Sequence, residues 1–304
     1  MPAATDRRGP PHVGAGVVTV LVIGDVVTDI LTVHEGPLAI GSDTIASVRI
    51  AGGGSAANTA VWLAAAGSAV AFAGVAGEDE PGDARLAELH QAGVTTSVRR
   101  VPGVATGTVV VLTSDAERTM FTDRGANRLL ARADIERALA LPGLRHLHLS
   151  AYVLFDPDCA PAGRFALEEA RRRGLTTSLD AASAAPLEQL GGAKFLSSVP
   201  RTSLLFANLD EARVLGSPDP ADLRHLADGV IVKSGAAGAS WAGPDGTASA
   251  PGRRLPAIVD PTGAGDAFAA GFLTAWLAGE TPHAALDAGN KLGARAVAKL
   301  GGRP

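Results

Sequence analysis

The sequence predicts an α/β protein: a doubly wound, mainly parallel sheet flanked by helices, with a small antiparallel β lid beside it. Three observations carry this expectation. From Val70 onward, short β-branched runs alternate with helical patterns, the mark of strand–helix–strand crossovers. Ile30–Val33 and Thr44–Ala51 follow one another with no helix between them, as do Thr106–Thr113 and Arg118–Thr122, so these pieces belong outside the parallel sheet. The chain has 304 residues, 46% of them hydrophobic, enough to bury a large core with at most a small appendage.

The elements follow in order. Val17–Gly24 is a β-branched run, as in a strand buried on both faces. Gly52-Gly53-Gly54 opens the helix Ser55–Ala66. Strand Val70–Val75 precedes helix Pro81–Ala92, and strand Leu144–Leu149 precedes helix Pro161–Arg173. Leu175–Leu179 is a strand ending in Asp180, and Leu204–Ala207 another ending in Asn208, before helix Leu209–Leu215. Val230–Val232 runs into Lys233-Ser234-Gly235, and helices Gly265–Ala278 and Ala284–Leu300 close the chain. Trp62 and Trp276 fall on helices as core residues, whereas Lys291, Arg295 and Lys299 repeat at i, i+4 and i+8 as a solvated face.

Chemistry concentrates in Asp260-Pro261-Thr262-Gly263-Ala264-Gly265-Asp266, which leads directly into an apolar helical pattern. The first N–H groups of a helix lack internal partners, and the macrodipole adds roughly half a positive charge there. Gly263 and Gly265 allow an anion close to that backbone, which suits a phosphate. Asp266 is out of place beside such an anion, unless it takes a proton from a hydroxyl attacking the phosphate. The plain alternative is a tight turn with a carboxylate complementing the dipole.

Asp25 and Asp29 follow the first strand, where α/β proteins gather ligand groups. Asp29 reads as functional, while Asp25 stands evenly between function and a turn that caps its own backbone. Asn58 offers a donor and an acceptor in the first turn of its helix, after three glycines. Asn208 and Glu211 sit three apart at a strand end. They could hold a hydrated magnesium, which needs only one or two protein oxygens plus phosphate. They could equally form a capping box, and local sequence does not separate the two.

Composition excludes several classes. A net charge of −4 gives no basis for nucleic-acid or membrane binding, and no run approaches the ~18 apolar residues of a membrane span. One cysteine, Cys159, excludes an internal disulfide and fits a reducing cytoplasm. The seven histidines are scattered without metal-ligand spacing, even though His146 and His148 alternate on one strand. Residues 1–16 are rich in Pro, Gly and Arg and predict a frayed tail. Gly14-Ala15-Gly16 precedes the first strand instead of following it, which argues against a nicotinamide oxidoreductase.

Two separated motifs, Gly53-Gly54 with Asn58 and Ala60, and Asp260 through Asp266, resemble those of the ribokinase-like, or PfkB, family of carbohydrate and nucleoside kinases. Gly77-Glu78-Asp79 with Gly82, Arg124-Gly125-Ala126-Asn127 and Asn208 through Glu211 lie between them in the family's order. The resemblance spans nearly the whole chain. It implies a kinase domain over 17–304, with lid strands from about 30–51 and 105–123. It implies ATP as co-substrate with Mg2+, and Asp266 as base on the acceptor hydroxyl. Gly263, Ala264 and Gly265 would form an anion hole. Asn208 and Glu211 would serve phosphate and magnesium through water. Lys233, Gly235 and Asn290 would line the nucleotide pocket. Asp29, Gly53, Gly54 and Asn58 would hold substrate hydroxyls. Backbone oxygens near Asp260 and Thr262 are the family's place for potassium.

Three departures stand out. Ser55 replaces the Lys of ribokinase proper, Ser150-Ala151-Tyr152 replaces a substrate-binding Glu, and Pro261 replaces a common Thr. The first two put ribose itself in question. The expectation is therefore an ATP-dependent kinase for a primary hydroxyl of a small sugar, sugar acid or nucleoside. The rivals are a kinase of a phosphorylated sugar, for which Arg124 is the candidate contact, and a silent sugar- or nucleotide-binding regulator. Free edges and an apolar face on the lid suggest a homodimer.

Overall fold

The computed structural model describes residues 20–114 and 117–304. The expected tail over 1–16, the first three residues of the expected opening strand and the turn residues 115 and 116 lie outside the described residues. In chain order the elements are β1 (Val20–Ile23), β2 (Val27–His34), β3 (Ala46–Gly53), α1 (Ser55–Ala65), β4 (Val70–Gly77), α2 (Glu80–Gln91), β5 (Thr95–Val101), β6 (Thr106–Ser114) and β7 (Glu117–Gly125). There follow α3 (Arg132–Leu139), β8 (His146–Ser150), α4 (Tyr152–Phe155), α5 (Ala160–Arg172), β9 (Thr176–Asp180), α6 (Ala184–Leu190), α7 (Gly192–Ser198) and β10 (Thr202–Asn208). The remainder is α8 (Leu209–Leu215), β11 (Ala227–Lys233), β12 (Ala239–Gly243), β13 (Gly246–Ala250), α9 (Ala264–Leu277) and α10 (Pro282–Ala296).

Nine strands form the main sheet in the order β13-β12-β11-β10-β9-β8-β1-β4-β5. The seven from β11 to β5 run parallel, and β12 and β13 add an antiparallel edge. The central strands β1 and β4 are buried on both faces and carry no polar side chain. In β1, Val20 and Val22 enter the core shared with Trp62, Phe272 and Leu286. Leu21 and Ile23 enter the opposite core with Ile135, Leu167 and Phe195. That is the physical reason a β-branched run without alternation reads as a central strand.

The second sheet has the order β3-β2-β6-β7. Its outer pairs, β2 with β3 and β6 with β7, are antiparallel as expected, whereas the central pair β2–β6 is parallel. Both central strands leave the carboxyl ends of parallel strands, β1 and β5, and so enter the small sheet in the same direction. Each point of departure is pinned. Val26 exchanges backbone hydrogen bonds with the Asn127 amide, both 3.0 Å. The Asp79 carboxylate caps α2 through Gly82 N–H at 2.9 Å and accepts Thr106 N–H at 2.8 Å.

Other differences have physical reasons. The strand β2 starts at Val27, so Asp29 lies inside a strand opposite Ala51 and Val109, not in a turn. The strand β5 and the hairpin β12–β13 are absent from the sequence reading. The hairpin is made of Gly, Ala and Ser with little β-branched content, and the Trp241 ring occupies the space over its Gly243 and over Gly229 of β11. The last helix ends at Ala296 instead of Leu300, since the Val297 carbonyl turns to accept Val259 N–H at 2.8 Å. Trp62 is buried, Trp276 half-buried, and Lys291, Arg295 and Lys299 are exposed. Cys159 packs inside as a small hydrophobe, its thiol facing the Val153 carbonyl at 3.2 Å.

The Trp62 indole N–H donates to the Gly302 carbonyl at 2.9 Å in the buried space between α1 and the segment after α10. A Trp62→Phe substitution leaves that carbonyl without its donor. It is expected to lower stability by about 1–3 kcal/mol, read as a reduced urea midpoint at unchanged slope. An unchanged midpoint would mean that the bond contributes nothing.

Candidate active site

A cleft of about 760 Å³ opens over the carboxyl ends of the parallel strands, roofed by Val109, Val111 and Met120 of the small sheet. The order of the main sheet reverses between β1 and β8, and a ligand crevice forms at such a switch point. Asp25, just after β1, and Tyr152, just after β8, line it.

The floor is the start of α9. The Asp260 carboxylate folds the preceding turn by accepting Thr262 N–H at 2.9 Å and its hydroxyl at 2.6 Å on one oxygen, and Gly301 N–H at 2.9 Å on the other. Gly263 then sits at φ 73° with no side chain capping the helix, and a Cβ there would come within 2.4 Å of the Gly302 carbonyl oxygen. A left-handed residue this crowded has to be glycine. Gly263, Ala264, Gly265 and Asp266 all line the cleft. Asp266 accepts the Ser55 hydroxyl at 2.8 Å on Oδ1 and the Asn58 amide at 3.2 Å on Oδ2. Its residue surface is only half-buried, but the carboxyl itself is enclosed. Burial, with Asp180 nearby, pushes its pKa up to about 7 against the opposing pull of Ser55, Asn58 and Lys233.

Three adjacent strand ends supply the next groups: Asp180 of β9, Asn208 of β10 and Lys233 of β11. Lys233 Nζ donates to Asp180 at 2.8 Å and lies close enough to Gly265 that a Cβ there would be 3.2 Å from it. Burial opposes the Lys233 charge, but Asp180 and Glu211 prevail and its pKa is raised. Asn208 and Glu211 do form a capping box. Asn208 Oδ1 accepts Asp210 N–H and Glu211 N–H, both at 2.9 Å, while Glu211 accepts Asn208 N–H at 2.7 Å and its amide at 2.6 Å. Burial drives Glu211 up to about 7. Both residues still line the cleft. Among the described residues no group of three or more His, Cys, Asp or Glu could hold a metal. A site with one carboxylate and one amide beside a helix start suits magnesium, which keeps water and phosphate as its other ligands. Gly235 and Asn290 border the far end of the cleft, and Asn290 donates to the carbonyls of Ala250 and Pro251 at 3.1 and 3.2 Å.

At the near end are Asp29, Gly54 and Asn58. Gly54, at φ 93°, has its α-carbon against the Asp25 backbone, where a Cβ would lie 2.3 Å from the carbonyl oxygen. Gly53 does not reach the cleft surface but packs on the Asp29 carboxylate. Burial lifts Asp29 to about 6, with Arg303 and Arg85 pulling the other way. The expectation for Arg124 is corrected. Its guanidinium grips Asp25 bidentately at 2.7 and 2.8 Å and Asp156 at 3.0 Å, away from the cleft lining, so its donors are engaged by protein carboxylates.

Four residues at this site carry no role from sequence reasoning. Asp180 and Ser55 had a usable signal, a strand end in line with Asn208 and Lys233 and the first residue of a helix after three glycines. Tyr152, whose phenol burial pushes up to about 12, follows β8 at the switch point. Arg303 had no local signal: it reaches Asn58 and Gly53 from beyond the last helix.

The profile of pfkB family carbohydrate kinases matches residues 18–304. An ATP-dependent ribose-1-phosphate kinase from Halopiger xanaduensis is 32% identical over 291 residues, 94% of each chain. The adenosine kinase of Sinorhizobium meliloti superposes with a TM-score of 0.83 at 22% identity, covering 95% of this chain and 96% of its own. An E. coli protein provisionally named ribokinase II, solved with ATP and Mg2+, gives a TM-score of 0.82 at 22% identity over 94% of each chain. A full-length profile match and a relative of this similarity place the chain in the pfkB family of carbohydrate kinases, among its sugar and nucleoside kinases.

Proposed function

We propose that this kinase transfers the γ-phosphoryl group of ATP to a primary hydroxyl of a small sugar, sugar acid or nucleoside, with Asp266 as the base. The observation that carries the reading is the Asp266 carboxylate, held by Ser55 and Asn58 in the first turn of a helix that no side chain caps. The acceptor oxygen attacks the γ-phosphorus while the bond to the β,γ-bridging oxygen breaks. Its proton passes to Asp266, and ADP leaves. A pKa near 7 makes Asp266 a better base than an ordinary carboxylate, although a loose transition state asks mainly for orientation.

Backbone N–H groups of Gly263, Ala264 and Gly265 stabilise the charge that develops on the phosphoryl oxygens. Lys233 neutralises phosphate beside Gly265. Asn208 and Glu211 would hold magnesium through water, and the bound ion would supply charge neutralisation to the transferred phosphates. Gly235 and Asn290 would flank the nucleotide, and backbone oxygens at Asp260 and Thr262 would hold potassium. Asp29, Gly54 and Asn58 hold acceptor hydroxyls, and Gly53 backs Asp29 from outside the cleft. Closure of the small sheet then excludes water that would compete for ATP.

A second reading, a phosphorylated acceptor, is favoured by one observation: the Halopiger relative, 32% identical over 94% of this chain, is named for ribose-1-phosphate. A panel of ribose, ribose-1-phosphate, sugar acids and nucleosides, assayed for ADP release with and without potassium, separates the two. Turnover only with phosphorylated sugars would discard the first reading. In the same assay Asp266→Asn is expected to lose at least ~100-fold in kcat. Wild-type turnover by that variant would remove the base from Asp266.

The pH profile offers a sharper test. A base must be ionised, so kcat/KM should fall as pH drops through about 7. The Ser55 bond lowers the Asp266 pKa, so Ser55→Ala should move the acid limb to higher pH and cost most below neutrality. A limb that stays in place or moves down would contradict this.

Pairing of two copies through the small sheet is supported by exposed Ile45, Val48 and Ile50 on or beside its edge strand β3. Light scattering should then give a dimer mass, with Ile50→Glu shifting it toward monomer. A monomer at all concentrations would exclude this pairing.

A further inference from the structure

The cleft lining explains how Asp266 is contacted but not why the Asn58 amide presents its nitrogen to it. An amide can turn over, and its two ends are nearly isosteric. Behind Asn58, out of the cleft, lies Arg303. Its Nε donates to Asn58 Oδ1 at 3.1 Å, one terminal nitrogen donates to the Gly53 carbonyl at 3.1 Å, and the other pairs with Glu88 of α2 at 2.7 Å. A guanidinium has donors and no acceptor, so only the oxygen end of the amide can face it. The nitrogen end is thereby directed to Asp266 Oδ2. An ionised Asp266 only accepts, and the two constraints agree.

The segment carrying Arg303 is itself fixed at two points. Gly301 N–H donates to Asp260 Oδ2, and the Gly302 carbonyl accepts the Trp62 indole. The Arg303 side chain is 13% exposed. Burial works against its charge, and Glu88 compensates while Arg85 does not. An arginine held this firmly, in contact with the glycine turn and with the amide that touches the base, does more than fill space.

We propose that Arg303 is a positioning residue for phosphoryl transfer: by locking the Asn58 amide and the Gly53 carbonyl, it aims the Asp266 carboxylate at the acceptor hydroxyl. This rests on Asp266 being the base. Arg303 touches no group at the nucleotide end, so its effect belongs to kcat and to acceptor binding and leaves the KM for MgATP alone.

The test is a double-mutant cycle on Arg303→Met and Asn58→Ala, with acceptor and MgATP kinetics for each variant and Asp266→Asn alongside. Small misplacements of a catalytic group cost up to about 100-fold, so Arg303→Met should lose about 10- to 100-fold in kcat/KM for the acceptor at unchanged KM for MgATP. Millimolar guanidinium chloride should restore part of that loss in Arg303→Met and nothing in Asn58→Ala. The double variant should be no slower than Asn58→Ala, because the two residues act in series. If Arg303→Met does not fold, as judged by its urea transition, Arg303→Lys enters the same cycle, since one ammonium cannot serve all three partners. Wild-type kinetics for the Arg303 variant, or strictly additive losses, would overturn the proposal. If Asp266→Asn is inactive and the Arg303 variants are not, only the role of Arg303 falls. If Asp266→Asn retains its rate, both assignments fall.

Discussion

Two hydrogen bonds to one carboxylate tie the site together. Ser55 and Asn58 belong to α1, Asp266 belongs to α9, and the partners are 211 and 208 residues apart in the chain. The two helices pack side by side on one face of the main sheet, with Trp62 and Phe272 buried between them and the strands. Their N-terminal turns therefore reach the same end of the sheet. Everything proposed for catalysis depends on that registration. The helix packing is apolar and positions the turns coarsely, whereas the polar bonds fix the last ångström.

The electrostatics of the site follow from the same crowding. Asp180, Glu211 and Asp266 converge on the ammonium of Lys233, and burial penalises the charges of Glu211, Asp266 and Lys233. Asp266 and Glu211 respond by holding protons to about neutral pH. A cluster poised in this way is suited to a ligand that brings both negative charge and its own cation, because neither arrives without compensation. The ion pairs of Glu169 show no such tension. Glu169, half-buried and hydrogen-bonded by Arg172 and Arg173, is simply pulled down to about 2.

The legible parts of this protein were those whose signal is local. Gly263 to Asp266 announce a helix start because a few adjacent residues decide it, whereas Asn208 with Glu211 left a cap and a magnesium site equally open, and the structure shows the cap. The alternation of β-branched runs and helical patterns, also a local signal, gave the doubly wound sheet. Contacts that cross the chain were not legible. Arg124 looks like a free cation in sequence and proves to be clasped by Asp25 and Asp156. Arg303 looks like a stray charge after the last helix and proves to stand behind Asn58. The hairpin β12–β13 escaped because its strands are built of Gly, Ala and Ser with one Trp and one Thr, so they carry no β-branched run.

The parallel pairing at the centre of the small sheet bears on how the molecule comes into being. Val27 can pair with Gly107 only after the chain has gone out through β4, returned through α2 and laid down β5. No turn links the two partners, so this ladder cannot nucleate by itself, as an isolated hairpin might. The wall of the cleft that this sheet builds is thus expected to form after the strands and helices that intervene between its two central strands. It is also the part whose loss would leave the large sheet and both its cores intact.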